Sequence, residues 1–504
     1  MSESRSSAVR VARGASYLYI QSFLSNLFGV VYFAFATRFL SVYEIGVTSV
    51  LFLITTVFPP LFNLAMPAAI VKFVPEYMGS RLKGRVSSVV KKGLIFGFSV
   101  SVITSAVLFL SSRFVSNLLF GSVAYQNMVE FLSIDIFAIM MIPFLSSVLN
   151  GFQRFGEVSF GSTFGYIVKY AVAVILLHYD FGLTGVILGW IAGDFTTILI
   201  HLYNILPFKE GSDSVLFSEL LRYSYPLYFA GLLNYFSLRI DQFLILVFLS
   251  TVDQGVYNAA VTASWVVLSV SESIHYALFP QFAERFGRKD RKALATASYV
   301  ASRYLSIIYL PLAVGLATVA LPTLSLVAGS AYIAGYIPLL LFSLTYAFTL
   351  LGPIATSLVS SLGKTKIIFW STFIIFVADA ALGVLMIPLL GIIGAALGKS
   401  VALILGFVFE MRGLKSVFGW HFDTSTIRKT SVAVMVMAAV VLGVQICWFN
   451  IFYLPLYVLV GGVVYFVCLL VFKVVNHADV ELIKDFLPKR LGSTVDFFAR
   501  FLID

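Results

Sequence analysis

Residues 182–189 read GLTGVILG and residues 391–398 read GIIGAALG, and each stretch begins a long apolar segment. The same spacing of 209 residues relates STF at 162–164 to STF at 371–373, and FLS at 39–41 with Gly46 to FLS at 248–250 with Gly255. Any single match is weak because Leu, Phe and Gly are common in this chain, but chance does not produce a shared offset. The sequence therefore predicts an internal repeat.

The composition assigns this repeat to a membrane protein. Of the 504 residues, 60% are hydrophobic and 12% are charged, whereas soluble domains have about 25% charged residues. A chain so long and so apolar cannot cover itself with a water-facing surface. Soluble enzymes and nucleic-acid-binding proteins are therefore excluded, despite the net charge of +10. Cys447 and Cys468 both lie in apolar runs, so neither a disulfide framework nor a metal site is indicated.

Fourteen segments are apolar enough to cross a bilayer as helices, at about 20 residues per crossing. They cover residues 16–39, 45–71, 92–111, 128–150, 158–178, 182–206, 223–249, 253–282, 298–320, 335–361, 367–388, 391–411, 430–450 and 452–473. The repeat unit contains six helices, an even number, so both halves have the same orientation about an axis along the membrane normal. Helix-breaking prolines recur, as Pro143 in the fourth span and Pro353 in the tenth.

The predicted fold class is an all-α polytopic membrane protein of about 14 transmembrane helices. Residues 1–210 form an N-terminal lobe of six helices, residues 211–412 form a second lobe in parallel repeat, and residues 413–504 contain two further helices. At the end, Asp479–Asp504 alternates charged with apolar residues, which is typical of a helix lying at the cytoplasmic interface.

The distribution of basic residues predicts the orientation. With the N-terminus in the cytoplasm and the fourteen spans alternating, 29 of the 34 basic residues fall in cytoplasmic segments, as the positive-inside rule requires. One span more or fewer would put every later basic cluster on the wrong side. We therefore expect a multi-pass protein of the plasma membrane, with both termini in the cytoplasm and its function carried out within the bilayer.

Ionisable and polar side chains inside the spans are candidate functional residues, because a charge at a lipid-facing helix centre costs roughly 2.5–3.5 kcal/mol. Four of them form a polar stripe at helical spacing on the seventh span: Tyr228, Tyr235, Arg239 and Gln242. We assign to a cavity for a large amphipathic solute with an anionic group the residues Arg239, Lys169, Arg38, Lys399, Tyr228, Tyr235, Asn26 and Gln242. We assign to ion coupling or charge pairing the residues Asp194, Asp379, Asp241, Glu272, His275 and Asp135.

The cationic candidates have structural alternatives. Lys169 and Arg239 suit either a cavity that grips phosphate or an ion pair that only stabilises the fold. Arg38 also suits a position in which its side chain reaches the external headgroups. His201, near a span end, is expected at the membrane interface.

The acidic candidates are equally open. Glu272 and His275 lie one helical turn apart and carry either a coupling proton or a hydrogen bond between helices. Asp194 and Asp379 either bind a cation or neutralise Lys169. The sequence does not separate these alternatives.

In these features the chain resembles the oligosaccharide and polysaccharide flippases, the polysaccharide transporter branch of the multidrug/oligosaccharidyl-lipid/polysaccharide exporter superfamily. The stretches that carry the resemblance are Phe39–Gly46 with Val71–Arg85, and Ser162–Leu176 running into Gly182–Gly189. The resemblance implies two lobes around a central cavity. It also implies flipping of a lipid-diphosphate-linked oligosaccharide from the cytoplasmic to the outer leaflet by alternating access.

The resemblance further implies a transporter that is not an enzyme and needs no cofactor. Its partners would be the lipid-linked oligosaccharide, membrane lipids and a proton or sodium ion, with no nucleic acid, and the chain would function as a monomer. The alternative within the superfamily is a cation-coupled multidrug exporter. Drug antiporters of the superfamily usually have 12 helices, so the last two spans favour the lipid-linked substrate.

Overall fold

The computed structural model describes residues 21, 22, 24, 25, 27–205 and 215–474, without the side chains of Glu272, Ser273, Tyr276, Ala277 and Pro280. Within these residues the chain is helical and contains no strand. The predicted tail Asp479–Asp504 lies outside the described residues. The α-helices are α1 Leu27–Phe39, α2 Val42–Phe62, α3 Met66–Gly79, α4 Lys83–Leu110, α5 Ser112–Phe120, α6 Gln126–Gly151, α7 Phe155–His178, α8 Gly182–Ile205, α9 Phe217–Phe248, α10 Thr251–Gly287, α11 Arg291–Thr318, α12 Ala320–Val327, α13 Tyr336–Phe348, α14 Gly352–Ser361, α15 Thr365–Leu390, α16 Ile392–Val417, α17 Thr424–Cys447 and α18 Leu454–Val471.

The predicted fold class is confirmed. Among the described residues, twelve helices are long and apolar enough to cross a membrane, and each coincides with a predicted span. The other two predicted spans coincide with α1, which is described as a helix from Leu27, and with α10, which spans 37 residues. The chain is therefore an all-α, multi-pass membrane protein.

Helix breaks make two predicted spans wrong in detail. The span predicted at 45–71 is divided between α2 and α3, and the last two residues before α3 have left-handed φ values of +49° and +51°. The span predicted at 335–361 is divided between α13 and α14, with Pro353 in the first turn of α14. Pro143, in contrast, lies inside the continuous helix α6 and does not break it. In the first turn of a helix, the N–H that proline lacks would have no partner within the helix, whereas a proline inside a helix removes one backbone hydrogen bond.

The sequence repeat reappears as a repeated helix start. Before α2, Ser41 Oγ accepts a hydrogen bond from the Glu44 N–H at 3.3 Å, and the Glu44 carboxylate accepts one from the Ser41 N–H at 2.8 Å. Before α10, Ser250 and Asp253 exchange the same two bonds at 3.2 and 3.1 Å. Each helix start is therefore a capping box, which satisfies backbone donors that a helix leaves unpaired at its N-terminus.

The first turns of α2 and α10 pack directly on each other. A Cβ atom added at Gly46 would overlap the carbonyl oxygen of Thr251, and one added at Gly255 would lie 2.8 Å from the backbone nitrogen of Gly46. Only glycine allows two helices to approach this closely without displacement. Two positions that the repeat makes equivalent are therefore in contact.

The chain forms two compact units. The first contains the described residues up to Thr262 together with Val327–Tyr332 and Ile375–Lys399, and the second contains Ala263–Leu326, Ile333–Ile374 and the described residues from Ser400 onward. These units are defined by their compactness and not by the sequence repeat. They therefore do not test the domain boundaries drawn from the sequence, which stay predictions.

Each unit has its own apolar core. In the first, Met66 and Ile70 of α3 pack with Phe144 and Val148 of α6, all fully buried. In the second, residues of α17 and α18 pack beside α11, with Tyr457 among the largest fully buried side chains. The Tyr457 hydroxyl donates to the Trp448 carbonyl at 2.7 Å, so its polar atom is satisfied inside the core.

The start of α17 carries a buried acidic cap. Asp423 accepts hydrogen bonds from the Thr426 N–H at 3.0 Å and from Thr426 Oγ1 at 2.6 Å. Burial alone would raise the pKa of Asp423, but the hydrogen bonds from Thr426 and Tyr299 and the nearby charge of Arg303 together lower the pKa below its ordinary value. The carboxylate form is therefore the form that the fold favours.

Candidate functional site

The first charged cluster joins α7 and α8 in the first unit. Lys169 Nζ lies 2.9 Å from Asp194 Oδ2, and the two residues are 9% and 8% exposed. A Cβ atom added at Gly193 would overlap Cβ of Lys169, so a glycine brings α8 against the lysine one residue before the aspartate. This local packing places the ammonium and the carboxylate in contact inside the helix bundle.

Asp135 of α6 adds a second carboxylate to this cluster. It is fully buried, and neither of its carboxylate oxygens has a hydrogen-bond donor among the described residues. It is close enough to Asp194 and Lys169 to interact with both electrostatically. Because burying a net charge is costly, two carboxylates beside one ammonium form a place where a proton or a cation would be stabilised.

Aromatic rings surround the first cluster. Tyr32 of α1 stacks on Tyr170 of α7 with ring centroids 4.8 Å apart, and Tyr166 stacks on Tyr170 at 6.2 Å. Lys169 Nζ lies 5.4 Å from the centroid of the Trp190 ring. An ammonium beside aromatic faces combines a site for an anionic group with surfaces on which a sugar ring can stack.

The second charged cluster joins α9, α15 and α16, also in the first unit. Lys399 Nζ lies 2.9 Å from Asp379 Oδ2 and 3.5 Å from Asp241 Oδ1, and it donates to the Ser237 carbonyl at 2.7 Å. The Tyr257 hydroxyl donates to Asp241 Oδ2 at 2.5 Å. This cluster also contains two carboxylates and one ammonium, but Lys399 contacts both acids.

The two clusters are not copies of one another. In the sequence repeat, each position of the second half corresponds to the position 209 residues earlier. By this rule the charged residues of the second cluster correspond to aromatic residues of the first half: Asp241 to Tyr32, Asp379 to Tyr170, and Lys399 to Trp190. The charged residues of the first cluster correspond to Ala378, Leu403 and Leu344. Each half therefore carries its charges at different positions of the repeat.

The polar stripe predicted on the seventh span faces α2. The Tyr228 hydroxyl donates to the Leu61 carbonyl at 2.9 Å, and the Tyr235 hydroxyl lies 3.1 Å from Thr56 Oγ1. Further along α9, Arg239 donates to Gln242 Oε1 at 3.3 Å, and its guanidinium carbon lies 6.0 Å from the centroid of the Phe52 ring of α2. The structure thus brings all four predicted residues to one helix face.

The remaining predicted residues lie away from the clusters or outside the description. Arg38 is exposed in the last turn of α1. His275 Nδ1 lies 2.8 Å from Ser357 Oγ in the second unit. Asn26 and the side chain of Glu272 lie outside the described residues, so the pairing of Glu272 with His275 stays a prediction.

One residue expected at the membrane interface is buried. His201 has no exposed surface, because it packs against α7, where a Cβ atom added at Gly161 would overlap its ring. Its Nδ1 lies 3.4 Å from Ser146 Oγ. Glu410, which the sequence analysis did not single out, occupies the equivalent position 209 residues later and is 8% exposed. The repeat offset is the signal that could have found it.

Long apolar helices with charged groups buried among them define a polytopic membrane protein with candidate functional groups inside its spans. The family described as "Polysaccharide biosynthesis protein" matches residues 35–336, more than half of the sequence, and the chain belongs to this family. No curated protein matches it in sequence.

Solved structures support the same fold. The chain is similar to the lipid II flippase MurJ in an inward closed conformation, with a TM-score of 0.71, 18% identity, and coverage of 90% of this chain and 98% of that one. It is also similar to an inward-facing multidrug resistance MATE family transporter of the MOP superfamily, with a TM-score of 0.61, 13% identity, and coverage of 78% and 95%. A MATE transporter from Vibrio cholerae has a TM-score of 0.60, 13% identity, and coverage of 82% and 99%. The resemblance expected from the sequence is confirmed.

Proposed function

We propose that the chain flips a lipid-diphosphate-linked oligosaccharide from the cytoplasmic to the outer leaflet of the plasma membrane by alternating access. The observation that carries this proposal is the first charged cluster, in which Lys169 lies beside the rings of Tyr170 and Trp190 inside membrane-spanning helices. Ionisable groups held inside membrane-spanning helices are rare and mark functional sites. Membership of a polysaccharide biosynthesis family supports a glycan precursor as the cargo.

The excess carboxylates support a role for a coupling ion. Asp135 and Asp194 share a single ammonium, and a proton or a sodium ion bound between them would balance the cluster. Loss of that ion would leave a buried negative charge, which changes the relative stability of conformations that expose the cluster to different degrees. In this proposal the chain works as a monomer, with both termini in the cytoplasm, and transports its substrate without covalent chemistry.

A second candidate is a cation-coupled multidrug exporter. The observation that favours it is the same acid excess, because in each charged cluster two carboxylates would also attract a cationic drug. The two candidates differ in the charge of their cargo, so a transport assay separates them.

The test is a reconstituted translocation assay. The purified chain is placed in liposomes with a fluorescent polyprenyl-diphosphate oligosaccharide, and leaflet accessibility is followed with and without proton and sodium gradients. Protein-dependent movement of this lipid supports the flippase, and the response to each gradient identifies the coupling ion. No movement of the lipid, with gradient-driven efflux of a cationic dye, would support the exporter instead.

Three variants sharpen the assay. Lys169→Ala and Arg239→Ala should each slow translocation at least tenfold while the protein still inserts into the membrane, because a charged hydrogen bond to phosphate is lost. Lys169→Ala should also lower the stability of the fold, because Asp194 loses its ammonium partner, so its transport is compared at equal amounts of folded protein. Lys292→Ala, which removes an exposed lysine at the start of α11, is the matched control and should transport normally. Normal transport by both Lys169→Ala and Arg239→Ala would refute the assignment of these residues to the diphosphate.

A further inference from the structure

A cavity separate from both charged clusters opens between α3, α6 and α9 in the first unit. Its volume is about 620 Å³, within the range of roughly 300–1,000 Å³ that small-molecule sites occupy. Pro67 and Lys72 of α3, Pro143, Ser146 and Asn150 of α6, and Tyr223 of α9 line it. In the predicted orientation these parts of α3, α6 and α9 lie on the cytoplasmic side.

The cavity contains the ammonium of Lys72, which has no acidic partner in the part of the chain that the structure describes. Lys72 Nζ lies 4.5 Å from the centroid of the Phe73 ring and 4.3 Å from that of the Tyr223 ring. The Tyr223 ring packs edge-on against Phe73 at 5.6 Å, which fixes the geometry of the pair. Among the described residues, no carboxylate lies within 4.0 Å of Lys72. The rings orient the ammonium without neutralising it, so its full charge remains available to an anion.

The opposite wall of the cavity offers polar groups with unused bonding capacity. Asn150 Oδ1 is buried and has no hydrogen-bond donor among the described residues. The nearest partner of the Ser146 hydroxyl on another helix is His201 Nδ1 at 3.4 Å, a distance at which hydrogen bonds are weak. A buried acceptor without a donor is costly, and a ligand hydroxyl group in the cavity would supply that donor.

We propose that this cavity binds a sugar phosphate: the phosphate on Lys72, the sugar hydroxyl groups on Asn150 and Ser146, and one sugar face against Tyr223. A lysine is a common phosphate ligand because it supplies a compact point charge. The inference rests on the proposed function, in which the cavity receives the head group of the lipid-linked substrate before it crosses. A free cytoplasmic sugar phosphate has the same chemistry and is the other source.

Binding measurements on the purified full chain in detergent test the proposal. The probes are N-acetylglucosamine 1-phosphate, geranyl-diphosphate-linked N-acetylglucosamine and inorganic phosphate, with affinity measured by calorimetry. Lys72→Gln should weaken both sugar ligands about tenfold, which is the contribution of one charged hydrogen bond, and Lys72→Arg should stay within about threefold of the wild type. Asn150→Ala should weaken the sugar ligands but not inorganic phosphate.

Lys83→Gln is the matched control, because Lys83 is an exposed lysine at the start of α4 and does not line the cavity. Unchanged affinity in Lys72→Gln, or an equal loss in Lys83→Gln, would overturn the proposal. Tighter binding of the geranyl-linked ligand identifies the lipid as the source, and equal binding identifies the free sugar phosphate. A wild-type chain that binds through Lys72 but moves no lipid in liposomes would refute the proposed function and leave the binding site intact.

Discussion

Replacing Lys169 with methionine should destabilise the fold by an amount that depends on pH. The substitution keeps the length of the side chain but removes the ammonium that lies 2.9 Å from Asp194. The cheapest response of the buried carboxyl group is to take up a proton. At pH 7 this costs about 4 kcal/mol relative to an ordinary aspartate with a pKa of about 3.9, which agrees with the roughly 3–5 kcal/mol measured when buried ion pairs are broken.

The pH dependence has a definite sign. In the variant, the folded state binds a proton that the unfolded state releases, so its stability relative to the wild type increases as the pH falls. The loss of unfolding free energy in the variant relative to the wild type should decrease by about 1.4 kcal/mol per pH unit, to roughly 1.5 kcal/mol at pH 5. Unfolding by sodium dodecyl sulfate in mixed micelles, followed by tryptophan fluorescence at pH 7 and pH 5, measures both values.

A double variant supplies the control. Lys169→Met with Asp194→Asn removes one positive and one negative charge and should recover most of the stability lost at pH 7, because the cluster, with Asp135 still present, then has the same net charge as in the wild type. A loss of stability that is the same at both pH values, or a double variant as unstable as the single one, would refute the account of Lys169 and Asp194 as a buried ion pair.

Three further predictions concern other parts of the chain. Gly46→Val should destabilise the protein by about 1–3 kcal/mol in the same unfolding assay because α2 and α10 must separate, whereas Gly231→Ala, where a Cβ meets open space, should be neutral or stabilising. The hydrogen bonds of Asp423 lower its pKa, so this residue should stabilise the fold above about pH 4 and lose that contribution as the pH falls through the folded pKa. Below pH 4, the stability of Asp423→Ala should therefore fall less steeply with pH than that of the wild type. A cysteine at Lys364 should react with an impermeant maleimide only from the cytoplasmic side of oriented vesicles, and labelling from outside would contradict the predicted topology.

The sequence predicted the helices well because membrane spans have a strong local signal. A run of about 20 apolar residues must form a helix wherever it crosses lipid, since its backbone has no other hydrogen-bond partners. Breaks inside spans have a weaker signal. Leu64 and Ala65, between α2 and α3, adopt left-handed conformations although neither is a glycine. The glycine directly before Pro353 is a local sign of the break at the start of α14, whereas Pro143, which α6 tolerates, follows an isoleucine.

The candidate site was predicted as a set of residues and not as an arrangement. All six charged residues of the two clusters stand out because they interrupt apolar spans, and Lys169 with Asp194 was among the pairings considered. The partnership of Lys399 with Asp241 and Asp379 depends on how three helices pack, which helical spacing cannot reveal. Aromatic neighbours such as Tyr170 and Trp190 were missed because aromatic residues are common throughout the spans.

The contact between Gly46 and Gly255 also bears on the origin of the chain. In a symmetric homodimer, a residue that touches its own copy lies on the two-fold axis. The repeat makes these glycines equivalent, so their contact corresponds to an axial contact between two identical subunits before gene duplication and fusion joined them. Separate subunits encoded by one gene must carry the same residue at both sites. Only after fusion could one half carry Tyr32, Tyr170 and Trp190 where the other half carries Asp241, Asp379 and Lys399.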